Sequence, residues 1–163
     1  METGTGQLNL LVKMTLMAWD TQNKYFNTLI DSLSDEQLSK EIAPGRNTGV
    51  YLLGHLIAVS DAMLSILGLG DRLFPELDNV FIENPDKSGL AIPTINELKA
   101  KLKAVNEKLA AYFAATSVDE WLERHMSVSA EDFAKEPHRN KLNVIINRTN
   151  HMANHIGQML LLK

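Results

Sequence analysis

His151 and His155 stand four residues apart in the segment Asn150-His151-Met152-Ala153-Asn154-His155. On an α-helix that spacing puts two imidazoles about 40° apart around the axis and about 6 Å along it, so one metal ion can accept both. A chain with five histidines meets such a pair easily by chance, and the case needs a third ligand. His55 is the candidate. It falls mid-helix among Leu52, Leu56, Val59 and Met63, where a lone imidazole needs partners to offset its desolvation. Three histidines on apolar stripes resolve that cost either by meeting at a metal or as separately hydrogen-bonded core residues. With no cysteine in the chain, any metal must be held by imidazole or oxygen. Neutral ligands would leave a divalent ion its full charge, which suits polarising a substrate or lowering the pKa of bound water or of a thiol. Three protein ligands also leave positions open, as catalytic sites do. Imidazole ligands admit zinc, nickel and iron alike, and ligand type does not select among them; zinc or nickel is taken first, with iron or manganese as alternatives.

Other residues could support such a site. Asn23 lies on an apolar stripe between Trp19 and Phe26, where it could orient an imidazole or simply bond the backbone. Arg148, one turn before His151, could bind a carboxylate at the site mouth or snorkel to solvent. Asn154 can hydrogen-bond near the site. Gln158 could hold a ligand imidazole, while close helix packing is the cheaper reason for Gly157. His125 and His138 sit in polar surroundings and read as surface residues. The residue after His151 is methionine rather than the glutamate of a thermolysin-type peptidase, and no catalytic triad or phosphate-cradling glycine loop is recognisable.

The elements that must position these residues are helices. Leu8, Val12, Leu16, Trp19, Phe26 and Ile30 recur at the spacing of one helical face, predicting a long first helix over residues 8–30. Leu10, Leu11, Met14 and Met17 make it apolar on further sides, which asks for a second burial partner, another subunit among the options. Ser34 and Gln37 form a capping box for a short helix that Pro44-Gly45 ends. Asn47 is placed to cap the next helix, whose face carries Leu52, His55, Leu56, Val59, Met63 and Ile66 before Gly68 and Gly70. From Gly68 to Pro93 periodicity is lost over about 25 residues, a length that suggests a crossover letting helices two and three run parallel. Thr94 and Glu97 cap a third long helix, striped by Leu98, Leu102, Val105, Leu109 and Tyr112. Its lysines, Lys99, Lys101, Lys103 and Lys108, read as a solvated face. Ser117 and Glu120 cap a turn with Trp121, a polar loop passes through Pro137, and residues 141–162 form the last helix, inward at Val144, Arg148, His151, Met152, His155, Met159 and Leu162.

The expected fold is therefore all-α, a four-helix bundle forming a single domain over residues 1–163. Lys and Arg number 16 against 20 Asp and Glu, for a net charge of −4, so the chain lacks the basic footprint of nucleic-acid binding. No uninterrupted apolar run reaches the roughly 18 residues of a membrane span, and Met1 to Asn9 lack the basic patch and cleavage signal of a leader. A soluble, cytoplasmic protein without a membrane or nucleic-acid partner is expected.

Two segments carry a resemblance. Asn47-Thr48-Gly49-Val50-Tyr51-Leu52-Leu53-Gly54-His55-Leu56 resembles the second-helix histidine segment of the DinB/YfiT-like metalloenzyme family. Asn150 through Gln158 resembles its last-helix signature, and the likeness extends over nearly the whole chain. It implies an up-up-down-down four-helix bundle, a metal on His55, His151 and His155, and frequent homodimers. The characterised branches are thiol-dependent S-transferases or isomerases, which implies a small-molecule substrate and a low-molecular-weight thiol. Many members carry a histidine immediately before the final ligand and an arginine after it, where this chain has Asn154 and Ile156. Those departures suit an alternative, a metal-binding or dimerising bundle without catalysis.

Overall fold

The computed structural model describes residues 2–163, with side-chain surroundings from residue 5 onward. Eight α-helices follow one another: α1 Glu2–Ser32, α2 Asp35–Leu38, α3 Gly49–Ile66, α4 Leu77–Phe81, α5 Ile95–Ala115, α6 Val118–Trp121, α7 Ala130–Lys135 and α8 Lys141–Met159, the last tightening into a 3₁₀ turn over Leu160–Leu162. The described residues contain no strand, only two isolated bridges. Capping boxes open α2 at Ser34, α5 at Thr94 and α6 at Ser117, each pairing the cap hydroxyl with a Gln or Glu three residues on. The cap of α3 is Thr48, one residue beyond the expected Asn47, because the Thr48 hydroxyl accepts the Tyr51 amide.

Three sets of contacts fix the directions of the long helices. At one end of the bundle, the Gln37 amide donates to the Leu162 carbonyl (2.9 Å), and a Cβ on Gly49 would collide with Leu162 and the Leu38 backbone. The end of α1, the start of α3 and the end of α8 therefore meet there. At the other end, the Met126 amide donates to the Ile66 carbonyl (2.8 Å) and Lys108 to the Asp71 carbonyl (3.3 Å), so α3 and α5 finish together. Along α1 and α5 the pairings Trp19–Phe113 and Asn27–Asn106 run in opposite senses. The order is up-down-down-up. The crossover does make α3 and α5 parallel, but the short α1–α3 connection reverses the chain instead of continuing it, unlike the expected up-up-down-down order.

One hydrophobic core joins Val12, Trp19, Phe26 and Ile30 of α1 to Leu53, Ile57 and Met63 of α3, Leu98 and Val105 of α5, Trp121 of α6, and Ile145, Met152 and Met159 of α8. α3 is buried on nearly every side. This explains why, by length and composition, it is apolar enough to cross a bilayer, contrary to the sequence expectation, although most of it lies inside the bundle. Two short helices escaped the periodicity argument. α4 interrupts the crossover and anchors it through buried Leu77 and Phe81, while α7 lies in the polar segment before α8 with no buried residue. Lys101 pairs with Glu76 and sits 3.9 Å from the centre of the Phe74 ring, so with Lys108 it ties the crossover to α5 rather than merely facing solvent.

Candidate metal centre

The fold brings His55 on α3 together with His151 and His155 on α8. One ring nitrogen from each lies within 4.8 Å of the other two. His151 Nε2 is 3.2 Å from His55 Nε2 and 3.1 Å from His155 Nε2, and the three rings stand at 71–85° to one another. All three side chains are half-buried, so the cluster keeps an opening to solvent.

The outer nitrogens decide what the inner ones can do. His55 Nδ1–H donates to the Phe81 carbonyl (2.8 Å), and His155 Nδ1–H donates to Gln158 Oε1 (2.8 Å). Each neutral imidazole carries a single N–H, so Nε2 of both rings presents a lone pair to the centre. His151 Nε2 faces both and can offer at most one proton; its own Nδ1 is buried without a partner. The arrangement is therefore one of converging acceptors, which a cation satisfies and hydrogen bonding among the rings does not. Two imidazole nitrogens sharing one ion at the usual bond length of about 2.0–2.1 Å stand about 3.0–3.4 Å apart, the range found here. The residues present fit a divalent ion.

Burial holds His55 and His151 in the form a metal needs. Desolvation pushes His151 down from its ordinary 6.5 to about 4, with the neighbouring imidazoles and Arg148 adding to the effect. Desolvation also lowers His55, partly opposed by its bond to the Phe81 carbonyl. Near neutral pH both rings are neutral, and a metal does not have to displace a proton from them.

The Phe81 carbonyl reaches His55 because of a network that the sequence reading did not pick out. Asp61, the single charged residue of α3, is fully buried and accepts the amides of Leu73 (2.8 Å) and Phe74 (3.1 Å) and the Arg72 Nε–H (3.0 Å). Arg72 also grips both carboxylate oxygens of Asp78 on α4. This clamp folds the crossover back onto α3 and fixes α4, whose last residue is Phe81. Gly54 completes the seat, since a Cβ there would lie 2.3 Å from the Phe81 ring. The available signal was Asp61 itself, a lone acid in an apolar helix, followed eleven residues later by Arg72.

Of the expected supporting residues, Gln158 is in place. Arg148 is half-buried on the same helix, and its charge acts on His55 and His151. Asn23 is not brought to the cluster; it faces α5, lining a groove with Asn106 and accepting a hydrogen bond from Asn27. Asn154 is exposed, on the solvent side of α8, while Ile156 is a core residue. Gly157 is exposed with open space around its Cβ position, so close packing does not explain it. His138 is exposed and His125 only partly so, accepting the Ser127 amide; neither joins the cluster.

Comparison with known proteins agrees with this architecture. A solved structure, the crystal structure of a conserved protein from Enterococcus faecalis, superposes with a TM-score of 0.62, covering 92% of this chain and 93% of that one at 16% identity; it shares the fold. No curated protein matches the chain. The family model of the DinB superfamily matches residues 18–159, and the chain belongs to that superfamily.

Proposed function

We propose that this protein is a metal-dependent enzyme of small molecules in which His55, His151 and His155 hold a divalent ion, zinc or nickel in first place. The observation that carries the reading is the convergence of three Nε2 atoms, two of them fixed as lone pairs by Phe81 and Gln158. Bound there, the ion supplies Lewis acidity that lowers the pKa of a thiol or a water reaching it. The chain's own residues do the rest. The Phe81 carbonyl and Gln158 hold His55 and His155 in the correct tautomer and raise their basicity. The apolar walls of α3 and α8 limit water on the inner side, and the partly exposed side leaves the cluster in contact with solvent. Membership of the DinB superfamily, which is often metal-binding, supports the reading; a low-molecular-weight thiol is the co-substrate this proposal takes.

The test is metal content by plasma mass spectrometry on untagged protein, beside a His55→Ala/His155→Ala double variant purified identically. Near-stoichiometric metal in the wild type, lost in a variant that keeps its helical signal, is the expected result. Metal indifferent to the substitutions, and no uptake on reconstitution with zinc, nickel, iron or manganese, would overturn it.

A second reading, a dimerising bundle without catalysis, is favoured by one observation. Leu10, Leu11, Met14 and Met17 of α1 are each more than half exposed and continue onto Ile146 of α8. A homodimer through this face is compatible with either reading. Met14→Asp in analytical ultracentrifugation checks it: a dimer in the wild type should fall to monomer, and an unchanged mass would exclude this face.

A further inference from the structure

The positive charge beside the histidine cluster has no counterpart among the described residues. Arg148 is half-buried, and desolvation holds its guanidinium below the ordinary arginine range. Among the described residues no hydrogen bond or ion pair engages it, whereas Arg72 meets two carboxylates. A partly buried, unpaired cation is costly to keep, and packing alone would be served by an apolar side chain. Its position on α8 is specific. Seven residues before His155, Arg148 lies about 20° from it around the helix axis and about 10 Å along it, with His151 between them.

We infer that Arg148 and the histidine cluster together form a binding site for an oxyanion, so that the substrate is a small molecule carrying a carboxylate or phosphate group a few atoms from its reacting centre. The inference deepens the metalloenzyme reading and rests on it for the reacting centre. The guanidinium fork meets two oxygens of such a group at once, and a half-buried setting strengthens that pairing relative to open water. With neutral imidazoles as ligands, a bound divalent ion keeps its charge, and the anion would lie between two positive centres. The selectivity expected is for anionic over isosteric neutral molecules.

Titrations with sodium acetate, sodium phosphate and neutral acetamide at constant ionic strength test this on two preparations of the full chain, one chelator-treated and followed by amide NMR, the other cobalt-loaded and followed by visible absorption. In the chelator-treated protein, acetate or phosphate should saturate, shift resonances around Arg148 and bind at least tenfold more weakly to Arg148→Gln. Acetamide should not saturate. Whichever anion binds more tightly identifies the group. Cobalt loading should tighten anion binding, and the Arg148→Gln loss should persist. Arg148→Lys keeps the charge without the fork and should bind with intermediate affinity, a readout that survives if Arg148→Gln fails to fold. If cobalt never binds while the metal-free titrations behave as described, the metal reading fails and the anion site stands. Arg148→Gln and Arg148→Lys both matching the wild type, acetamide matching acetate, or no saturable anion binding in either preparation would overturn the site.

Discussion

Replacing Arg72 by alanine should destabilise the protein strongly, because it strands a buried carboxylate. Asp61 is fully buried, and its side-chain partners are the Leu73 and Phe74 amides and the Arg72 guanidinium. Without Arg72 the carboxylate keeps two neutral donors and loses its counter-charge. Breaking a buried ion pair by removing one partner costs about 3–5 kcal/mol. The second pair, with Asp78, adds less because that carboxylate is 30% exposed. Against a total stability of about 5–15 kcal/mol the loss is large, and at about 2–4 °C per kcal/mol for a chain of this length the melting temperature should fall by roughly 6–20 °C. Calorimetry and urea unfolding with metal chelated would measure it. The double variant Arg72→Ala/Asp61→Asn should recover part of the loss, because the stranded charge is gone while an oxygen remains for one backbone amide. Zinc affinity of Arg72→Ala, from competition with a chromogenic chelator, should drop as well, since α4 and the Phe81 carbonyl are no longer held against His55. The reasoning is refuted if Arg72→Ala lies within about 1 kcal/mol of the wild type, or if the double variant is simply additive.

Three further outcomes follow from the same geometry. Gln158→Leu leaves the His155 Nδ1–H without its acceptor and should weaken zinc binding by about 10–100-fold with little change in the stability of the metal-free protein; equal affinities in competition titrations would remove Gln158 from the site. His151 sits at about 4 in the folded state against an ordinary 6.5, so as pH falls the unfolded chain takes up the proton first, and metal-free stability should decline between about pH 6.5 and 4 and then level off. The shift alone would amount to about 3 kcal/mol, which screening at a half-exposed side chain reduces to about 1–2 kcal/mol; urea unfolding from pH 7 to 4 should show a shallower slope in His151→Gln, and an identical slope would count against the assignment. Gly54→Ala drives a methyl group to within 2.3 Å of the buried Phe81 ring, and overpacking of about 1–3 kcal/mol should outweigh the helix-propensity gain of up to about 1 kcal/mol; a net gain in denaturant stability would show that α4 can retreat freely.

Much of this was legible from residue order, because it depends on local chemistry. Helices with 3.6-residue apolar stripes, and capping boxes at Ser34, Thr94 and Ser117, follow from short-range backbone and side-chain preferences that act wherever the sequence occurs. The same local periodicity put His151 and His155 on one face and His55 on another inward stripe, which nominated the cluster without bringing its halves together. The exposed apolar side of α1 was equally visible, since four extra apolar residues on one helix exceed what the bundle covers.

Tertiary structure decided what depends on long-range pairing. The direction of α1 against α3 turns on a reversal at Gln37, Gly49 and Leu162, residues separated by up to 125 positions, and no local preference encodes it. α4 is too short to show a period; it exists because Leu77 and Phe81 are buried and Asp78 is gripped by Arg72. Asn23 shares its helical stripe with core residues, yet the neighbour that stripe meets at that height is α5, so the amide faces Asn27 and Asn106 rather than an imidazole. The tautomers of His55 and His155 are set by a carbonyl 26 residues from His55 and an amide three residues from His155. Spacing placed the second within reach; only the closure of the crossover by Asp61 and Arg72 delivered the first.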